Sequence, residues 1–257
     1  MKAEPVEAAL QQLVTAVAVL PEVRSIGLSG GDRALPRPGE GDLDLFVYCT
    51  AIPAPDRRRS ALEALPDLAQ DVDVGRIQGG PWGHADSLWL AGVKTWLMYF
   101  RAGEARQELA DLLAGCYLGR LDDYYYPLGR CATWQTMRPL YDPDGLLASF
   151  RQALSPYPAE LAARLLTHHL DALADTEDLD RAVARGDLLF YHFALDLALD
   201  HLLQALFALN RAYFPGRKRS LERVAGFDLR PAGCELRLRE VVALGGTVET
   251  LGRSRAA

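Results

Sequence analysis

The chain has 257 residues, 49% of them hydrophobic and 24% charged, the balance of an ordinary globular protein, and its length suits two modest domains or one large one. A formal net charge of −6 argues against a protein that coats long stretches of nucleic acid, because such binding runs on phosphate neutralisation by Lys and Arg. The cysteines, Cys49, Cys116, Cys131 and Cys234, show no CxxC or Cys/His pairing of the kind structural zinc requires, so reduced, buried and inert thiols are expected.

The opening MKAEPVEAALQQLV carries acidic residues where a signal peptide is basic. Its apolar positions predict an amphipathic helix from about Val6 to Leu20, ended by Pro21. VRSIGLSG then reads as a short strand running into glycines, DRALPRPGEG as a loop, and DLDLFVYC as a second strand. A helix is expected over 53–68, a third strand over DVDVGRIQ, and two strands in SLWLAGVKTWLMYF that turn at Ala91 and Gly92. Trp82 and Trp89 in this region either stack on a base or fill the core, and core filling is the expectation. A helix over 104–118 and a short strand over 137–141 complete the first part, with Tyr124, Tyr125 and Tyr126 read as packing residues in a linker before Pro127.

Asp142, Pro143, Asp144 and Gly145 spell a turn, after which helical periodicity takes over. Helices are expected over 146–154, 159–173, 179–184, 187–210 and 234–244. The predicted fold class is α+β, with a small mixed sheet and flanking helices in residues 1–143 and an all-helical domain in 144–257. The longest apolar stretch, Leu188 to Leu209, is interrupted by His192, Asp196, Asp200 and His201, so no membrane span is expected and the protein is placed in the cytoplasm.

The chemistry concentrates in IGLSGGDRALPRPGEGDLDLFVYC. A strand runs into Ser29, Gly30 and Gly31, ten residues intervene, and Asp42, Leu43 and Asp44 open the next strand. Side chains alternate along a strand, so Asp42 and Asp44 project from one face. Two carboxylates held that close repel unless a cation lies between them, and a magnesium ion takes its ligands from one or two carboxylates, water and phosphate. Glycines on the neighbouring strand let backbone N–H groups approach a triphosphate. Alone, an Asp-x-Asp is usually a solvated strand face and a Gly-Gly usually a turn. Joined at this spacing they point to a metal- and phosphate-binding site.

This stretch resembles the polymerase-beta-like nucleotidyltransferases, whose hallmark is a Gly-Ser turn followed about ten residues later by Asp-x-Asp on the next strand. Gly30 and Gly31 stand at the Gly-Ser position, and Asp42 and Asp44 match the metal-binding and catalytic pair. LYDPDGLL, LSPYPAELA and LFALNRAYFPGRKRS resemble the helical half of bacterial enzymes related to the antibiotic nucleotidyltransferases. The resemblance implies Mg2+-dependent transfer of a nucleoside monophosphate, usually AMP from ATP, to a hydroxyl of a small molecule or a protein. Ser29, Gly30, Gly31 and Arg33 would then meet the nucleotide, and in FPGRKRS, just beyond a long helix, Lys218 either reaches the triphosphate as a point charge or belongs to a solvated cap that complements the helix dipole. A homodimer is one assembly the resemblance suggests, and nucleic acid is a disfavoured partner.

Two positions depart from the pattern. Gly31 replaces the motif serine, and if GVKTWLMYF is the strand that bears the family's third carboxylate, Thr95 or Trp96 occupies its place. Asp73, with Asp71 on the same face, is the alternative third carboxylate, and without one the fold is expected to bind nucleotide as a weak enzyme or a regulatory module. In the helical part, His192, Asp196 and Asp200 at i, i+4 and i+8 form a polar stripe that either binds a cationic acceptor or faces solvent or a partner. Adjacent His168 and His169 point about 100° apart on a helix and are read as structural.

Overall fold

A computed structural model describes residues 4–31, 33–65, 67–121 and 125–257, with the side chain of Glu4 excepted. The chain divides into two compact units, one of residues 1–111 with 133–155, the other of 112–132 with 156–257. Residues 144–155 therefore group with the sheet, beyond the boundary expected at 143.

The first unit keeps the predicted order. It contains α1 (Glu4–Ala18), β1 (Val23–Leu28), β2 (Asp42–Cys49), α2 (Pro55–Glu63), β3 (Ala69–Gln78), β4 (His84–Leu90), β5 (Val93–Arg101), most of α3 (Ala102–Leu113), the end of α4 (Pro127–Thr136), β6 (Arg138–Tyr141) and α5 (Leu146–Ala153). The six strands form one mixed sheet in the order β3-β4-β5-β2-β1-β6. β2 and β5 are parallel, and the other neighbours are antiparallel. β4 and β5 are joined at Ala91 and Gly92, both with positive φ (47° and 80°), as a two-residue hairpin turn of this hand requires.

Alternation along β2 decides where the site lies. Leu43, Leu45, Val47 and Cys49 join Ile26 and Leu28 of β1, Leu97 of β5, Leu10, Leu13 and Val17 of α1 and Leu62 of α2 in one core cluster. Asp42, Asp44, Phe46 and Tyr48 point the other way. On that face the aromatic half is sealed: the Tyr48 ring meets Phe150 of α5 edge-on at 5.5 Å, and Trp134 Nε1 donates to the Tyr48 hydroxyl at 2.6 Å. Gly27 of β1 admits this cover, since a Cβ there would lie 2.1 Å from Met137 Sδ. α5 is started by Asp142, whose carboxylate accepts from the N–H groups of Leu147 (3.1 Å) and Ala148 (3.2 Å) and from Ser25 Oγ (2.7 Å).

A buried ion pair crosses the α1 and α2 face. Arg58 of α2 donates to Asp86 Oδ1 of β4 at 2.7 Å, and the Gly75 N–H donates to the same oxygen at 2.8 Å. Desolvation is the larger influence on the Asp86 carboxyl and raises its pKa above the ordinary 3.8, against the Gly75 N–H and Arg58.

The second unit holds α6 (Ala159–Ala174), α7 (Glu177–Arg185), α8 (Leu188–Leu209), α9 (Ser220–Ala225), α10 (Cys234–Leu244) and α11 (Leu251–Ala256). Leu203, Leu206 and Phe207 of α8 are buried with Phe214, Val224 and Leu238. Despite its polar interruptions, α8 is long and apolar enough by length and composition to cross a membrane, and half of that stretch is buried. That burial, and Asp200 satisfied inside the unit, suit a core helix. α4, α9 and α11 escape the sequence reading; two have only six residues, too few for a helical period to show. The thiols need one correction: Cys49, Cys131 and Cys234 are buried, but Cys116 is exposed. Burial pushes the Cys49 thiol up to about 12, with Glu22 adding and Arg58 opposing.

Candidate functional site

Beyond the aromatic cover, the sheet face opens at the start of β2. Asp42 is exposed and Asp44 half-buried. Ser29, the residue after β1, donates its N–H to the Asp44 carbonyl at 3.0 Å and its hydroxyl to Asp44 Oδ2 at 3.4 Å. The turn continues through Gly30 (φ 93°) and Gly31 (φ 67°), and a Cβ on Gly31 would lie 3.2 Å from the Thr136 carbonyl. Glycine at 31 is therefore a backbone requirement: any other side chain is strained in this conformation. Ser29, Gly30, Gly31, Asp42 and Asp44 thus belong to one corner, while Arg33 is exposed in the connecting segment and Asp32 lies outside the described residues.

The parallel register with β5 sets what faces the carboxylates. Asp42 pairs with Lys94 and Asp44 with Trp96. Thr95 is fully buried on the opposite face, its hydroxyl donating to the Val93 carbonyl at 3.1 Å, so Trp96 is the residue beside Asp44. Lys94 was not singled out by the sequence. Its Nζ lies 3.2 Å from Ser87 Oγ and over the rings of Trp89 (5.6 Å) and Trp96 (5.4 Å). The alternation of β5 put Lys94 and Trp96 on one face, but only the β2–β5 register put that face beside Asp42.

Asp73 does not supply a third carboxylate. It is registered with Ser87, which is registered with Trp96, so it sits three strands from Asp44, about 14 Å at the usual strand spacing. It is paired with Arg76 at 2.9 Å, and Asp71 is exposed with a left-handed backbone (φ 51°) where the register of β3 shifts between Gln70 and Asp73. Trp82 and Trp89 are each 38% exposed, so neither fills the core as expected; Trp89 lies on the open face, because its neighbour in the register is Lys94.

In the helical unit Lys218 is exposed in the turn before α9. Its neighbour Arg217 is the engaged cation: it pairs with Asp196 and donates to Asp200 Oδ1 at 3.1 Å. Asp200 is buried, accepts from Gln204 Nε2 at 3.0 Å and from the Tyr126 hydroxyl, and Asp196 also meets Arg120 at 3.6 Å. The expected acidic stripe is thus occupied by the protein's own arginine, and His192 lies exposed apart from it. Burial, then Asp200, pushes the Tyr126 hydroxyl up to about 12. Tyr125 and Tyr126 are buried, and Tyr124 lies outside the described residues. His168 and His169 are not isolated either: α8 brings His201 to them, with Nδ1 of His169 and Nδ1 of His201 2.9 Å apart. Burial, then the neighbouring rings of His168 and His201, lowers the His169 pKa to about 4.

The fold and this corner define an α+β protein with a carboxylate pair on an open strand face next to a glycine turn. A family model described as a domain of unknown function, DUF4037, matches residues 129–219. No curated protein matches. Among solved structures, the chain is similar to a nucleotidyltransferase-like protein from Exiguobacterium sibiricum 255-15, at 13% identity and a TM-score of 0.48, over 96% of this chain and 71% of that one.

Proposed function

We propose that the chain binds a nucleoside triphosphate, ATP foremost, with one magnesium ion at the open half of its sheet, on the plan of a nucleotidyltransferase but with little transfer activity. The observation that carries this reading is the shared face of Asp42 and Asp44 beside the Ser29–Gly31 turn. One magnesium ion fits there, since it needs one or two carboxylates and takes its other ligands from phosphate and water. The space beside Gly30 is open, which leaves room for phosphate oxygens at the turn.

A second ion does not fit. The place across from Asp44 holds the Trp96 indole, and Lys94 sets a cation across from Asp42. Lys94 Nζ offers the phosphates a compact positive charge, which favours binding. It supplies no ligand for an ion that would activate an attacking hydroxyl. Transfer of AMP to a hydroxyl of a small molecule or protein is therefore the lesser activity.

The test is thermal unfolding of the full chain with ATP, with and without magnesium. Ligand at a hundred times its dissociation constant adds about 2.7 kcal/mol, and at ~2 to 4 °C per kcal/mol for a chain of this size the melting temperature should rise by roughly 5 to 10 °C. Asp42→Asn and Asp44→Asn should each remove the magnesium-dependent part. Equal shifts in wild type and both variants would overturn the reading, and rapid incorporation of α-labelled AMP by the wild type would overturn the statement on transfer.

A further inference from the structure

We propose that His168 and His169 of α6 and His201 of α8 form a binding site for a borderline divalent transition metal, zinc foremost, with its remaining coordination position open to water or an outside ligand. One ligand nitrogen from each ring lies within 4.8 Å of the others. A tetrahedral zinc ion with metal–nitrogen distances of about 2.0 to 2.1 Å separates its ligands by about 3.4 Å. The Nδ1 atoms of His169 and His201 are already 2.9 Å apart, and His168 is exposed, so its ring is the one that adjusts.

The burial of His169 is an independent sign. Its side chain is wholly buried, yet its Nε2 has no hydrogen-bond partner among the described residues. A buried polar atom left without a hydrogen bond costs free energy. Two Nδ1 atoms facing one another at 2.9 Å can share a single proton at best, whereas both lone pairs are used when a cation lies between them. The Leu118 backbone carbonyl lies beside the His169 ring, where it orients the imidazole.

The donor set selects the metal. It is all imidazole, which suits zinc and its transition-metal neighbours over magnesium or calcium. Asp200, next to His201 in sequence, is committed to Tyr126, Gln204 and Arg217 and is not a ligand. Arg120 opposes a cation near His201, but its charge is met by Asp196 at 3.6 Å. A cleft of about 410 Å³ is lined by His201 together with Asp175, Glu177, Asp178 and apolar residues of α6, α7 and α8, so one of the three histidines borders open space.

The experiment uses untagged full-length protein stripped with a chelator and titrated with zinc against a chromophoric competitor, with cobalt as a spectroscopic probe of tetrahedral coordination. One equivalent should bind. His168→Ala, an exposed position that leaves the metal-free melting temperature unchanged, and His201→Ala should each weaken zinc by at least about tenfold. Asp44→Asn should bind zinc as the wild type does, which separates this site from the one on the sheet. No stoichiometric uptake at micromolar zinc, or the same affinity in wild type, His168→Ala and His201→Ala, would overturn the proposal.

Discussion

Replacing Asp86 by alanine removes one partner of a pair sealed from water on both sides, with Arg58 3% and Asp86 0% exposed. The guanidinium of Arg58 loses its counter-ion and keeps the Tyr99 ring at 4.9 Å, a weak substitute; the Gly75 N–H loses its acceptor. Breaking a buried pair from one side costs about 3 to 5 kcal/mol, because an uncompensated charge is left behind. At a urea slope of about 2 kcal/mol/M this lowers the midpoint by about 1.5 to 2.5 M, read by equilibrium unfolding at unchanged slope. The double variant Arg58→Met with Asp86→Leu removes both charges and should recover most of the loss. The pH dependence has a definite sign. The folded Asp86 pKa lies above its unfolded value, so the carboxyl's contribution is full below pH 3.8 and declines as pH rises through the folded value. The stability gap between wild type and Asp86→Asn should narrow over that window. A single variant within about 0.3 M of wild type, or a double variant no more stable than the single one, would refute the reasoning.

Trp96→Asp places a carboxylate beside Asp44 and should raise AMP transfer while changing ATP affinity little; because the ring is half-exposed, the packing loss should fall below the about 3 to 5 kcal/mol of a fully buried Trp. Folded Trp96→Asp with no gain in transfer would show that the third carboxylate is not what limits the reaction. Asp142→Ala removes the acceptor for two helix N–H groups and for Ser25 Oγ, and should cost about 1 to 2 kcal/mol in thermal unfolding; a change below about 0.3 kcal/mol would contradict the capping role. An aromatic disulfide reagent should titrate one thiol of the native protein quickly, Cys116, with Cys49, Cys131 and Cys234 reacting only on unfolding; rapid modification of a second thiol would contradict their burial.

Local period and turn chemistry were enough to read part of this protein from its residues. DLDLFVYC alternates as a strand must, which set Asp42 and Asp44 on one face, and its ends coincide with β2. Asp142 to Gly145 marked the start of α5, and Ala91 and Gly92 the hairpin, because those conformations select their residues within a few positions of the chain. Which strand lies beside which came from tertiary packing alone. Nothing local requires β5 rather than β3 to flank β2, yet that choice puts Trp96 and Lys94 at the carboxylates and Asp73 three strands away. The same holds for α6 and α8, whose packing carries His201 to His168 and His169, and for Arg217, which reaches back to Asp196 and Asp200. A period records how a segment presents its own faces; which face it meets is set by burial summed over residues far apart in the chain.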